Sequence, residues 1–240
     1  MPTTLAPPRS RPPAGEALPE LVHGQPISRA DFYRITERDP DHYRHIERLD
    51  GKVYVNACSV RREGHSKPQS RIVGLLLAYE ADTPGVEVGD NGTTQIEDDH
   101  DPQPDAYLLI LPECGGQVAF TDDDYIRGAP ELIVEVAGTT VRKDLGRLKE
   151  IYESDGCREY LVWCTDAGRF VCFRNGPGGF AEVPLDDGVF RSETFPGLWV
   201  DAAALLRGDL PAAMETLREG VATADHAAFA KRLAAAKAAG

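Results

Sequence analysis

Three observations predict a mixed α/β protein, a central mixed β-sheet flanked by helices with a C-terminal helical extension. The run LIVEVAG (132–138) is the most apolar short stretch of the chain, as a central strand covered on both faces would be. It is followed by RKDLGRLKEIYESDGC (142–157), where Leu145, Leu148, Ile151 and Tyr152 recur on one side, and then by a second apolar run, EYLVWCT (159–165). Strand, helix, strand in that order implies a right-handed parallel crossover. Hairpin signals elsewhere add antiparallel pairs, and beyond Pro196 the sequence turns Ala-rich and helical.

The elements follow in order. Residues 1–18, rich in Pro, Ala and Arg, contain nothing that could pack and are expected to form a flexible tail. SRADFYRITERD then reads as a short helix capped by Ser28, with Asp31 three residues on and Pro40 at its end. Asp50-Gly51, between Ile46/Leu49 and Val53-Tyr54-Val55, is a hairpin signal. SKPQSRIVGLLLAYEAD carries too many apolar residues for a narrow stripe, so a largely buried helix is expected there, ending at Thr83-Pro84-Gly85. Three short strands follow between Val86 and Leu111, separated by Asp90-Asn91-Gly92 and the acidic segment EDDHDPQP. After EYLVWCT, RFVCFRN and FAEVPL joined by Gly176-Pro177-Gly178-Gly179 read as another hairpin. The final helices, near 210–220 and 225–240, look peripheral. The expected organisation is a tail over 1–18, one domain over 19–209 and a helical extension over 210–240.

Composition narrows the function. The 240 residues include 26 Lys+Arg and 39 Asp+Glu, a net charge of −13, which argues against a generic nucleic-acid coat but leaves room for a local basic groove. Five cysteines without a CxxC pair or a suitably placed His predict neither a disulfide framework nor a zinc site. Without an apolar leader or a membrane-length apolar run, a cytoplasmic setting is expected.

The chemistry centres on two carboxylates. Glu135 stands inside an apolar strand, where its charge is costly unless it is paired, hydrogen-bonded or holding a cation. Strand alternation places Ile133, Glu135 and Ala137 on one face and Leu132, Val134 and Val136 on the other. Asp105, after Pro104, stands at the mouth of the strand DAYLLIL. On the following helix Lys149 lies at the border of the packed stripe, with Arg142 on the same edge. Two carboxylates from adjacent strands and a nearby ammonium would hold a divalent cation and stabilise charge at phosphorus, a phosphodiesterase arrangement.

The string QPDAYLLI, the strand GAPELIVEVAG, the helix KDLGRLKEIYESDGCREYLVW and the ending FPGLWVDAAALLRGD, over roughly residues 28–210, resemble the restriction endonuclease-like proteins of the Uma-two family, within the PD-(D/E)XK nuclease superfamily. The resemblance implies a restriction endonuclease-like core, with Asp105 and Glu135 matching the acidic metal-binding pair and Glu47 an acidic residue near the first helix and hairpin. The chain departs from the pattern twice: Ala137 stands where the superfamily carries its lysine, and Leu148 where relatives carry the basic group on the next helix. Lys149 comes one residue later, rotated by about 100° on an α-helix.

The reading reached is an endonuclease hydrolysing DNA phosphodiester bonds with Mg2+ or Mn2+ on Asp105 and Glu135, Lys149 as basic group, Glu47 assisting, and homodimerisation to cut a duplex. Two alternatives are a catalytically silent nuclease-like binding module and a hydrolase of small nucleotide or phosphoester substrates. Other chemical residues receive structural readings. His65 opens a buried helix as a solvated N-terminal residue, Glu97–Asp101 is a solvated loop, Asp144 a first-turn helix carboxylate, Tyr152, Tyr160 and Trp163 core residues, and Cys157, Cys164 and Cys172 small buried hydrophobes.

Overall fold

The computed structural model describes residues 19–40, 42–43, 46–55 and 60–239; the expected tail over 1–18 and Cys58 lie outside the described residues. The described residues fall into two compact units. The smaller comprises those up to 55 together with Asp98–His100, and the larger comprises 60–97 and 101–239.

In the smaller unit, α1 (Arg29–Thr36) begins at Ser28, whose hydroxyl oxygen accepts the Asp31 N–H at 3.1 Å, the cap the sequence predicts. Strands β1 (Ile46–Leu49) and β2 (Lys52–Val55) pair antiparallel, turning at Asp50 (φ +53°) and Gly51 (φ +66°), the left-handed pair that a tight hairpin needs. Leu21, Phe32, Ile35, Tyr43, Ile46 and Val53 form its core. The acidic run differs from expectation at its end. The buried Arg48 guanidinium donates to the Asp98 carbonyl and to the Ile27 carbonyl, both at 3.0 Å, and the Asp50 N–H donates to His100 Nδ1 at 3.0 Å. Glu97, Asp98 and Asp99 are exposed as a solvated loop would be, but His100 and Asp101 are buried, and the segment's carbonyls and imidazole satisfy donors that would otherwise be orphaned.

The larger unit opens with a π-helical turn, Arg62–Ser66, leading into α2 (Lys67–Asp82). There follow β3 (Val86–Gly89), β4 (Thr94–Gln95), β5 (Ala106–Ile110), β6 (Ala119–Phe120), β7 (Ile126–Arg127) and β8 (Leu132–Ala137). Next come α3 (Val141–Lys143), a second π-turn (Asp144–Leu148), α4 (Lys149–Ser154), β9 (Glu159–Cys164), β10 (Arg169–Gly176) and β11 (Gly179–Glu182). The chain closes with β12 (Val189–Arg191), β13 (Trp199–Asp201), α5 (Ala202–Arg207), α6 (Leu210–Val221) and α7 (Ala224–Ala239). Six strands form a sheet in the order β11-β10-β9-β8-β5-β3. Within it β8 and β9 run parallel and the other neighbours antiparallel, which is the mixed central sheet of the predicted fold class. Among the described residues no helix is long and apolar enough to cross a membrane.

Each sheet face has its own cover. Leu132 and Val134 face a core shared with Leu161, Trp163 and Cys172, with Ile72, Leu75, Leu76 and Tyr79 of α2, and with Ala213, Leu217, Phe229 and Leu233 of the last two helices. Those helices are therefore not peripheral. His226 Nε2 also reaches Thr83 Oγ1 at 2.9 Å, and that hydroxyl donates to the Tyr79 carbonyl. The Ile133–Glu135–Ala137 face carries the α3–α4 segment, where Leu148, Ile151 and Tyr152 are buried. The single helix expected over 142–157 is interrupted by the π-turn, and it ends before Gly156 (φ +80°), as the sequence predicts.

Because Phe229 is fully buried in the main core, Phe229→Ala should destabilise the protein by about 3–5 kcal/mol in equilibrium urea unfolding. A loss below about 1 kcal/mol would return these helices to the periphery.

Candidate active site

The site begins with a break in a ladder. In the β5–β8 pairing Ala106 faces Val134. The same register carried outward sets Asp105 opposite Glu135 and Pro104 opposite Val136. Proline has no N–H to give, and its carbonyl accepts from the Asn91 N–H at 2.9 Å, so the ladder cannot continue to Val136. Side chains satisfy the backbone instead. Asp105 Oδ2 accepts the Val136 N–H at 2.7 Å, and Glu135 Oε2 accepts the Asp105 N–H at 3.3 Å. Each strand thus contributes a carboxylate that binds a backbone N–H of the other, which brings Asp105 and Glu135 together as the sequence predicts.

Three further side chains hold this pair. Tyr152, on α4, donates its buried hydroxyl to Glu135 Oε1 at 3.1 Å, so a residue read as plain core reaches the carboxylate. Gln69, on α2, donates to the Asp105 carbonyl at 2.9 Å. His65, in the first π-turn, stands between strand backbone and carboxylate: Nδ1 contacts the Val136 carbonyl at 2.9 Å and Nε2 lies 3.3 Å from Asp105 Oδ1. The His65 side chain is 28 % exposed and that of Asp105 15 %, so the pair is reachable from solvent. The hydrogen bond to Asp105 raises the imidazole pKa above its ordinary 6.5, burial opposes this, and the charges of Asp105 and Asp144 add to the rise. Asp144 is a first-turn carboxylate, of the second π-turn, and is buried; its backbone carbonyl accepts the Tyr160 hydroxyl at 2.9 Å. Burial and the surrounding carboxylates drive the Tyr160 phenol pKa well up.

The π-turns flank the site. Such a turn holds one residue more than an α-turn and is frequent at functional positions. The first presents His65 and is anchored by the Thr165 hydroxyl donating to the Gly64 carbonyl at 2.8 Å. Gly138 allows this approach: a Cβ there would stand 3.3 Å from the Gly64 carbonyl oxygen.

Lys149 lies elsewhere. Lys149 Nζ is 3.3 Å from Glu153 Oε2 and sits over the Phe173 and Phe180 rings at 5.0 and 5.7 Å, above β10 and β11 and thus two strands from Glu135. Arg142 is exposed on α3, and Arg147 pairs with Glu150. Ala137 and Leu148 are buried. Glu47 is buried in β1, in the smaller unit. Among the described residues no three His, Cys, Asp or Glu side chains are grouped so as to hold a metal ion.

The family model Uma2, described as "Putative restriction endonuclease", matches residues 29–204. The chain belongs to the Uma2 family. The match takes in Asp105, Glu135, His65 and Tyr152 and stops before α6 and α7. Among solved structures, this Uma2 chain is similar to one described as "a putative nuclease belonging to DUF820" from Anabaena variabilis ATCC 29413, with a TM-score of 0.52 over 80% of this chain and 99% of that one. At 16% identity that likeness is one of fold. No curated protein matches the Uma2 chain.

Two expected outcomes follow from the geometry. Tyr152→Phe, which strips a buried donor from Glu135, should cost about 1.5–3 kcal/mol in urea unfolding. In metal-free buffer, the His65 resonance should titrate above 6.5 by NMR and move down in Asp105→Asn, because the partner that stabilises the imidazolium is lost.

Proposed function

We propose that this protein is a metal-dependent endonuclease hydrolysing DNA phosphodiester bonds, with Asp105 and Glu135 holding Mg2+ or Mn2+. The supporting observation is the reciprocal hold of the two carboxylates across the broken β5–β8 ladder. The donor set fits such an ion: hard carboxylate oxygens suit ions that bind through one or two carboxylates and otherwise keep water and substrate oxygens. An ion of this kind supplies Lewis acidity towards a phosphoryl oxygen. The chain's own part is positional. The Val136 N–H fixes Asp105 Oδ2, the Tyr152 hydroxyl fixes Glu135 Oε1, and the α3–α4 segment keeps water from the inner side of Glu135.

The proposal extends to Lys149 as the basic group and Glu47 as an assisting acid. Lys149 would reach a phosphate only by leaving Phe173, Phe180 and Glu153. Cutting both strands of a duplex takes two such sites, so a homodimer belongs to the same reading, and light scattering tests it.

In plasmid cleavage with Mg2+ or Mn2+, Asp105→Ala and Glu135→Ala should each lower the rate by about 10²–10³, the loss typical when one preorganised electrostatic group is removed. Cleavage by Glu135→Ala at the wild-type rate would overturn the assignment. Lys149→Met separates a catalytic ammonium, which would show a comparable loss, from a brace over two rings, which would leave the rate intact. The seat of Lys149 favours a second reading, a nuclease-like module that binds but does not cut. Nucleic-acid binding by the wild type without cleavage under any divalent cation would favour it.

A further inference from the structure

Resting on the homodimer of the reading above, we propose that the edge strand β11 is its interface, pairing antiparallel with β11 of a second copy so that the partner's Glu182 meets Lys149. The two edges of the six-stranded sheet are the first argument. At β3, Val86 and Val88 turn their N–H groups away from β5, and the chain itself closes them, through the Thr83 carbonyl at 3.4 Å and Glu80 Oε2 at 3.0 Å. At β11 the outer groups stay open. The Val183 N–H donates to the Cys172 carbonyl at 2.8 Å, and with Ala181 opposite Arg174 and Gly179 opposite Gly176 the alternation directs the N–H and C=O groups of Phe180 and Glu182 outward. Neither of those N–H groups has an acceptor among the described residues. Such an edge is a template for another strand.

Register is the second. Sliding the partner one way would set Phe180 against Pro184, which has no N–H to give, and sliding it the other way would set Glu182 against Gly178, in the turn before the strand. The alignment that uses the outward groups of both strands sets Phe180 opposite the partner's Glu182, in two equivalent pairs, with Ala181 facing the partner's Ala181 at the two-fold axis. That axis stands perpendicular to the sheet, so both Glu135 carboxylates remain on one side of a continuous sheet.

Charge is the third. Glu182, opposite Phe173 in the β10–β11 pairing, shares with Phe173 and Phe180 the sheet face on which α4 lies, and Lys149 Nζ stands 5.7 Å from the centroid of the Phe180 ring. Glu182 is exposed and makes no ion pair among the described residues. Facing residues of paired strands have Cβ atoms about 4.5–5.5 Å apart, so the partner's Glu182 beside Phe180 brings its carboxylate to Lys149 from one side while Glu153 holds it from the other. Opposite charges placed this way fix the register of an interface, and Lys149 gains a use where it sits.

The test is the mass of the full chain by light scattering over a concentration series. The wild type should be a dimer and Glu182→Pro a monomer with an unchanged circular dichroism spectrum, because that proline removes an outward N–H and the carboxylate but no bond to β10. Ala181→Cys reads the register. At the two-fold axis the Cα atoms of a non-hydrogen-bonded pair are about 4.5 Å apart, within disulfide reach, so mild oxidation should give a disulfide-linked dimer on a non-reducing gel. Glu182→Cys, displaced from the axis, and the wild type should give none. The cross-link does not depend on the proline variant folding. A wild-type dimer that survives Glu182→Pro, or in which Ala181→Cys fails to cross-link, overturns the β11 interface and leaves the homodimer standing. A wild type that is monomeric throughout overturns both, while plasmid cleavage by that monomer would leave the metal site in place.

Discussion

The structure depends on one local constraint, the failure of the β5–β8 ladder at Pro104. A sheet must satisfy every buried N–H and C=O, and a proline opposite Val136 removes the partner strand's contribution at one position. Val136 is left with an N–H and a carbonyl directed between the strands. Asp105 takes the first and His65 the second. The Pro-Asp pair is therefore a structural device before it is a chemical one: proline opens the ladder, and the next side chain closes it with charge.

Buried glutamates elsewhere show what this device adds. Glu131 accepts the Ile110 N–H at 3.0 Å and the Gln117 N–H at 2.9 Å, and Glu159 is engaged by Arg174, by the Ser192 hydroxyl and by the Glu193 N–H. Both are as buried as Glu135, and both tie loops to strand ends. Burial in an apolar run therefore does not by itself mark a reactive carboxylate. Glu135 is set apart by convergence, because a second carboxylate, an imidazole and a phenol from three other segments meet around it.

The same contrast explains what could be read from the sequence. Alternation in LIVEVAG and EYLVWC, the Asp50-Gly51 turn and the Ser28 cap are local signals, and the strands, hairpin and helix start follow from them. Asp105 and Glu135 were legible because proline and an acidic residue in an apolar strand are anomalies within a few residues. His65 and Tyr152 were not, since each is unremarkable among its neighbours and gains its role from a partner 40 and 17 residues away. A π-turn escapes a 3.6-residue periodicity because it adds a residue without altering composition. The acidic run misled only at His100 and Asp101, because charge was weighed and backbone carbonyls were not; Arg48 uses the Asp98 carbonyl, which every residue type carries. In the terminal helices, abundant alanine diluted Leu217, Phe229 and Leu233, whose large side chains decide where the helices pack.

That packing has a consequence for how the molecule is made. All strands of the main sheet exist once residue 182 has been synthesised, yet the face bearing Leu132 and Val134 lacks Phe229 and Leu233 until almost fifty further residues have followed. Without those residues the sheet would present an open apolar surface, the kind that is prone to aggregate when left bare. Docking of α7, rather than formation of the sheet, is thus the step that closes the core on this face.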